Sequence, residues 1–278
     1  MVKCIMCIYV CFTETAAMKQ NTKTSEGKKK HDTDSPEKPN NAHTILPLPA
    51  GEVNMIPWEK IDCTGIPGQE GQISLQKRGR EFSIRTAGTE LMNSRLNGSE
   101  TALAKLACQC LDPDSGLKIL IGGLGMGFTL AAALEDSPPG SAILVSELIP
   151  AVVEWNRLHL GHLAGNPLDD ERVSIKQQDV AEIIKTGKSA WDAILLDVDN
   201  GPEGLTRKAN DRLYSRSGLS ASFSALRSQG ILAIWSSRPD HAFTRRLDRC
   251  GFKTETKTVR ARQSGKGALH TIWLARKP

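Results

Sequence analysis

The sequence predicts a doubly wound α/β sheet, with parallel strands and helices on both faces, closed by a terminal antiparallel hairpin and preceded by a small β-hairpin appendage. Three observations predict it. Apolar runs at 119–121, 142–145, 191–196 and 230–236 are bounded by turn-forming or helical sequence, the pattern of strands covered on both faces. The first run passes directly into Gly123, Gly125 and Gly127 and then into an apolar helix. The second ends in an acid, Glu147, before another helical stretch, PAVVEWNR.

Each element has its own signal. Residues 1–50 are expected to be a disordered leader, because KQNTKTSEGKKKHDTDSPEKPNN has too little apolar surface to order itself. The run CIMCIYVCF ahead of it is too short to span a bilayer and is a poor signal peptide. An upstream start codon explains it better, with Met18 beginning the protein. Segment 51–97 reads as the appendage: WEKIDCT, then GQISLQKRGREFSIRT with a turn at Arg78-Gly79, then ELMNSR. Segment 98–278 is the ligand-binding α/β domain. It opens with a helix over 99–111, capped by Ser99. A short strand over 173–177 ends near Asp179 and leads into the helix VAEII. The fourth strand, 191–196, ends in DVDNGP. A helix over 215–226, a strand over 230–236, a helix over 242–250 and strands over 252–260 and 269–275 complete the chain.

The glycine turn marks the ligand end of the sheet. Gly123, Gly125 and Gly127 supply backbone angles that a Cβ forbids and let the main chain approach a ligand, to which the next helix presents its free N–H groups. Met126 lies within that turn. Glu147 follows Gly123 by 24 residues, where such folds place the carboxylate that accepts hydrogen bonds from both ribose hydroxyls. A helix-capping or surface glutamate is the plainer alternative. Asp179 suits either of two roles, accepting from an exocyclic adenine amine or N-capping the helix it precedes. Ligands of open α/β sheets bind beyond the carboxyl ends of the strands, which puts Asp197, Asp199 and Asn200 at the chemistry. Asp197 otherwise caps its loop. Tyr214 falls where loops cover the site, to stack on a ligand or to pack.

Composition narrows the classes. The chain is 39% hydrophobic and 24% charged, ordinary for a globular protein, and its net charge of +5 comes largely from its ends. Aromatics are 5%, too few to interleave with basic residues as a nucleic-acid surface would, so no nucleic-acid partner is expected. Seven cysteines, odd in number and scattered, make no disulfide framework and fit reduced thiols in a cytoplasmic protein. Cys4, Cys7 and Cys11 lack a second ligand cluster, His159 and His162 lack a companion, and no metal or membrane partner is expected.

Five parallel β/α units followed by an antiparallel hairpin resemble the class I methyltransferase-like, or Rossmann-like, fold. Together GGLGMGFTL, SELIPAVVEWNR, DERVSIKQQDV, DAILLDVDNGP and SQGILAIWS resemble the spermidine synthase family, the polyamine aminopropyltransferases, over about residues 58–252. The resemblance implies transfer of an aminopropyl group from decarboxylated S-adenosylmethionine to an amine, with Asp197 as the general base. It also implies a homodimer. An amine is cationic at neutral pH and attacks only once deprotonated, so a carboxylate at that place has a physical purpose. The chain departs from the family where Met126 replaces the glycine-turn aspartate that meets the donor's amine. The second aspartate after the fourth strand falls on Asn200, with Asp199 one residue early. MNSRLNGSE replaces the diamine-covering loop, leaving Glu100 and Asp199 to hold an amine. Because Met126 removes a negative neighbour from the donor's tail, a methyltransferase using S-adenosylmethionine is the alternative. A catalytically silent adenosyl-ligand-binding protein is the third.

Overall fold

A computed structural model describes residues 56–67, 71–198 and 212–278. The expectations for residues 1–50 and for Asp199 and Asn200 lie outside the described residues. Two sheets make up one compact unit. The smaller is a four-stranded antiparallel meander, β1 (Glu59–Gly65), β2 (Gln72–Arg78), β3 (Glu81–Thr86) and β4 (Thr89–Asn93). Its last turn places Ala87 and Gly88 at φ of 43° and 80°, the left-handed pair that matches the twist of a tight hairpin. The sheet is tied to the rest of the unit through Asp62, whose carboxylate accepts from Trp155 Nε1 at 2.6 Å.

The larger sheet is built from β5 (Lys118–Gly122), β6 (Ala142–Ser146), β7 (Val173–Lys176), β8 (Trp191–Leu196), β9 (Leu226–Ser236), β10 (Lys253–Arg260) and β11 (Leu269–Arg276). Its order is β10-β11-β9-β8-β5-β6-β7, with β5 to β9 parallel and β11 antiparallel to both neighbours. The chain therefore starts in the middle, winds outward to β7, returns to β8 and continues the other way. That reversal between β5 and β8 opens the crevice in which ligands of such sheets bind.

Alternate residues of each strand serve different cores. Ile119, Ile121, Leu195 and Ala233 face α1 (Gly98–Cys108), α2 (Phe128–Asp136) and α3 (Pro150–Trp155). Leu120, Ile194, Leu196 and Ile234 face α4 (Val180–Thr186), α5 (Arg216–Ala225) and α6 (His241–Arg249). Burial on both sides explains why the strands read as unbroken apolar runs.

Three local expectations need correction. Ser99 is not the cap of α1: the helix starts at Gly98, whose N–H donates to Ala261 O at 2.8 Å, and Asn97 holds the cap position without a side-chain bond. A Cβ on Gly98 would stand 2.5 Å from the Arg262 carbonyl carbon, so only glycine lets the helix start this close to the loop between β10 and β11. The helix after Glu147 is not continuous, since α3 gives way to a π turn at Asn156–Leu160 and a 3-10 turn at Gly161–Ala164. Strand β9 begins at Leu226, earlier than the apolar run at 230, because its first residues pair beside Trp191 before a register shift.

Candidate active site

The glycine turn joins β5 to α2 with Gly123, Gly125 and Gly127 at φ of 91°, 54° and 85°. Gly123 is also a close approach between strand ends: its N–H donates to Ser146 O at 2.9 Å, and a Cβ there would stand 2.7 Å from the Asp197 carbonyl oxygen. Asp197 N in turn donates to Gly122 O at 3.1 Å. Met126 turns its side chain into the apolar core, where it is 2% exposed. Only its main chain is left to face a ligand.

Glu147 closes the same turn from the end of β6. One carboxylate oxygen accepts from Leu124 N at 2.9 Å and the other from Ile149 N at 2.8 Å. Burial raises its pKa, while the surrounding backbone N–H groups pull it back down. Asp179 N-caps α4, accepting from Ala181 N at 2.8 Å.

A second cluster of acid groups lies one strand away. Leu195 faces the α1 and α2 side, so Asp197, two residues on, projects to that side as well. There its Oδ2 accepts from Thr129 Oγ1, in the first turn of α2, at 2.7 Å. Glu100 occupies the first turn of α1, and Thr129 Oγ1 also reaches its carbonyl oxygen at 3.4 Å. Glu100 Oε2 is buried with no hydrogen-bond partner. Burial raises the pKa of both carboxyl groups, and the negative Asp197 raises that of Glu100 further, whereas the Thr129 hydroxyl lowers that of Asp197. The two carboxyls resist ionising together, Glu100 under the added negative charge of Asp197. Among the described residues neither forms an ion pair. No group of three His, Cys, Asp or Glu side chains able to hold a metal converges among the described residues.

Strands β9 and β11 continue the wall. Trp235 follows Ile234, the partner of Leu196, and so stands beside Asp197 at the strand ends. Its indole Nε1 is buried without a partner, and the ring meets His270 edge-on with centroids 4.8 Å apart. His270 Nδ1 lies 2.9 Å from Ser99 Oγ on α1, and burial lowers its pKa.

Tyr214 lies apart from this cluster. It is 2% exposed in the core under the opposite sheet face, with its ring edge-on to Phe243 and its hydroxyl donating to Val198 O at 3.4 Å. His162 meets the ring of Phe82 at 5.8 Å. Sequence reasoning missed Thr129 and Asn156. Thr129 is the polar residue of an otherwise apolar first turn in FTLAAAL, and Asn156 falls four residues after Val152 on the buried stripe of its helix.

No protein-family profile matches the chain, and no curated protein matches it. Solved structures do. A spermidine synthase from Thermotoga maritima superposes with a TM-score of 0.62 at 19% identity, covering 79% of this chain and 73% of that one. The chain has the spermidine synthase fold. A spermidine synthase in complex with the transition-state analogue AdoDATO gives a TM-score of 0.61, also at 19% identity, covering 79% of this chain and 72% of that one. The match to these spermidine synthases agrees with the class I methyltransferase-like sheet and the antiparallel appendage. Among the described residues no helix is long and apolar enough to cross a membrane.

Proposed function

We propose that the chain is a spermidine synthase-like transferase that binds an S-adenosylmethionine-type ligand and moves its aminopropyl group to a small-molecule amine. One observation carries the reading: beside the glycine turn stand two partly buried carboxyl groups, Asp197 and Glu100, with an unpartnered oxygen and, among the described residues, no ion pair. Buried carboxyl groups call for a cation, and an ammonium group supplies one.

In this reading the main chain of Gly123 to Gly127 and the carboxylate of Glu147 bind the nucleoside. The substrate ammonium enters between Glu100 and Asp197 and gives a proton to Asp197. Its lone pair attacks the carbon next to the sulfonium, the C–N bond forms as the C–S bond breaks, and the sulfur leaves as a neutral thioether. Desolvation serves this step, because a carboxylate with a raised pKa is a better base than one in water. Trp235 walls the acceptor side. The resemblance adds Asp199 and Asn200 as further polar groups for the amine and a homodimer as the assembly, and the scattered cysteines favour the cytoplasm as its place.

A methyltransferase using S-adenosylmethionine is the second reading, and Met126 favours it. With its side chain in the core, the turn offers no carboxylate to a donor's amine, and its main chain suits a donor that keeps its carboxylate.

Calorimetric titration with decarboxylated S-adenosylmethionine and with S-adenosylmethionine, on the wild type, Glu147→Ala and Asp197→Asn, separates them. Aminopropyl transfer expects preference for the decarboxylated donor, loss of binding in Glu147→Ala, and retained binding with turnover lowered about 10²- to 10⁴-fold in Asp197→Asn. Preference for the carboxylated donor supports methyl transfer. Binding of neither sinks both.

A further inference from the structure

We infer that Asn156 is a positioning residue for the donor site, fixing the peptide between Gly125 and Met126 so that the Met126 N–H faces the ligand. The inference rests on the reading of the glycine turn as an adenosyl-ligand site. Asn156 opens the π turn after α3 and is 2% exposed. Its Nδ2 donates to two carbonyls at once, Gly125 O at 2.8 Å, 31 residues away, and Val152 O at 2.8 Å in its own helix. Flipping the amide would set Oδ1 against both carbonyls, so its orientation is fixed.

The other side of the amide fits as closely. Asn156 Oδ1 stands 3.2 Å from where a Cβ on Gly127 would be, so the side chain fills the space beneath both glycines. That oxygen is buried and has no hydrogen-bond partner. Leaving a buried acceptor unsatisfied is unfavourable, a cost set against the two bonds that the amide donor makes. The π turn contributes, because inserting one residue per turn rotates the helix after α3; such turns are rare and gather at functional sites.

The consequence for the ligand follows from peptide geometry. In a trans peptide the C=O and the next N–H point in opposite directions. Drawing Gly125 O toward Asn156 therefore aims the Met126 N–H away from α3, and no described residue accepts it. Where the resemblance expects an acidic side chain in the turn, this chain presents an oriented backbone donor, suited to an oxygen or nitrogen acceptor of the bound ligand.

The test combines two readouts on Asn156→Ala. Calorimetry with 5′-methylthioadenosine, the nucleoside half common to both donors, is expected to show at least tenfold weaker binding. In the ligand-free proteins, the 15N amide resonances of Gly125 and Met126 are expected to be single and sharp in the wild type and doubled or exchange-broadened in the variant, as the released peptide samples both orientations. Sharp, single resonances in Asn156→Ala overturn the inference, as does nucleoside affinity within twofold of the wild type. If the wild type binds no nucleoside, the functional reading falls, and the resonances alone decide whether Asn156 fixes the peptide. Should Asn156→Ala not fold, Asn156→Ser replaces it, keeping a hydroxyl too short to span both carbonyls; it is expected to show the same broadening.

Discussion

The glycine-turn half and the acid half of the crevice share the same strand ends, yet they are held in opposite ways. Around Glu147 the N–H groups of Leu124 and Ile149 each meet a carboxylate oxygen, so the acid braces the turn and keeps its remaining lone pairs for a ligand. Around Glu100 and Asp197 an oxygen is left unpaired, the indole of Trp235 is unpaired beside it, and two acids resist ionising together. A braced half suits a ligand that must be bound in one pose. A half with unmet polar groups suits a reacting partner that arrives charged and leaves changed. Buried polar groups that the fold itself does not satisfy mark where stability has been given up for chemistry.

The two halves touch at Gly123, and a substitution there should damage both. Gly123→Ala puts a methyl 2.7 Å from the Asp197 carbonyl oxygen at a φ of 91°. Strain of that kind and overpacking each cost about 1–3 kcal/mol, so thermal unfolding should show a loss of about 2–6 kcal/mol. Because the methyl displaces the Asp197 main chain along with the turn, donor affinity and turnover should fall together. Retained donor binding with loss of turnover alone would show that the halves are separable at this point.

How much of this was legible differs between the halves for the same reason. The braced half is local in sequence: glycines at alternate positions and an acid at the end of the next strand are readable because backbone conformation and strand ends leave composition signals. The order of strands was readable too, since burial on both faces writes unbroken apolar runs. The acid half is assembled from α1, α2 and β8, and nothing local states that Thr129 will meet Asp197 from 68 residues away. Ser99 looked like a cap because serine before a helix commonly is one; tertiary packing of Gly98 against Ala261 moved the start of the helix past it. Asn156 was hidden by an expected continuous helix, in which a π turn has no signature of its own.

Thr129→Val alters the acid half and leaves the glycine turn in place. The hydroxyl favours the ionised form of Asp197, so removing it raises the pKa of that carboxyl further. If Asp197 is the base, activity requires its ionised form, and the acid limb of the pH–rate profile moves to higher pH. A hydrogen bond to a charged group contributes about 1.5–3 kcal/mol, so turnover at acid pH should drop by about tenfold or more and approach the wild type in alkali. A uniform loss at every pH would mean that Thr129 shapes the site without setting the charge on Asp197.

Glu100→Gln has the smallest expected effect and isolates the unmet half. In the folded protein the Glu100 pKa is raised by burial and by Asp197, so the folded state holds its proton more tightly than the unfolded state does. Stability therefore falls as pH rises from the ordinary carboxylate value toward the raised one, because the unfolded chain releases the proton first. Glutamine keeps the shape and has no proton to lose. The variant and the wild type should therefore melt together near pH 4, and the variant should be the more stable near pH 8, by about 1–3 kcal/mol, the usual cost of an unsatisfied buried group. Turnover with a cationic acceptor should fall in the same variant, since one of the two acids that attract an ammonium is gone. Greater stability with unchanged turnover would separate Glu100 from the acceptor site and leave Asp197 as the acid that faces the amine.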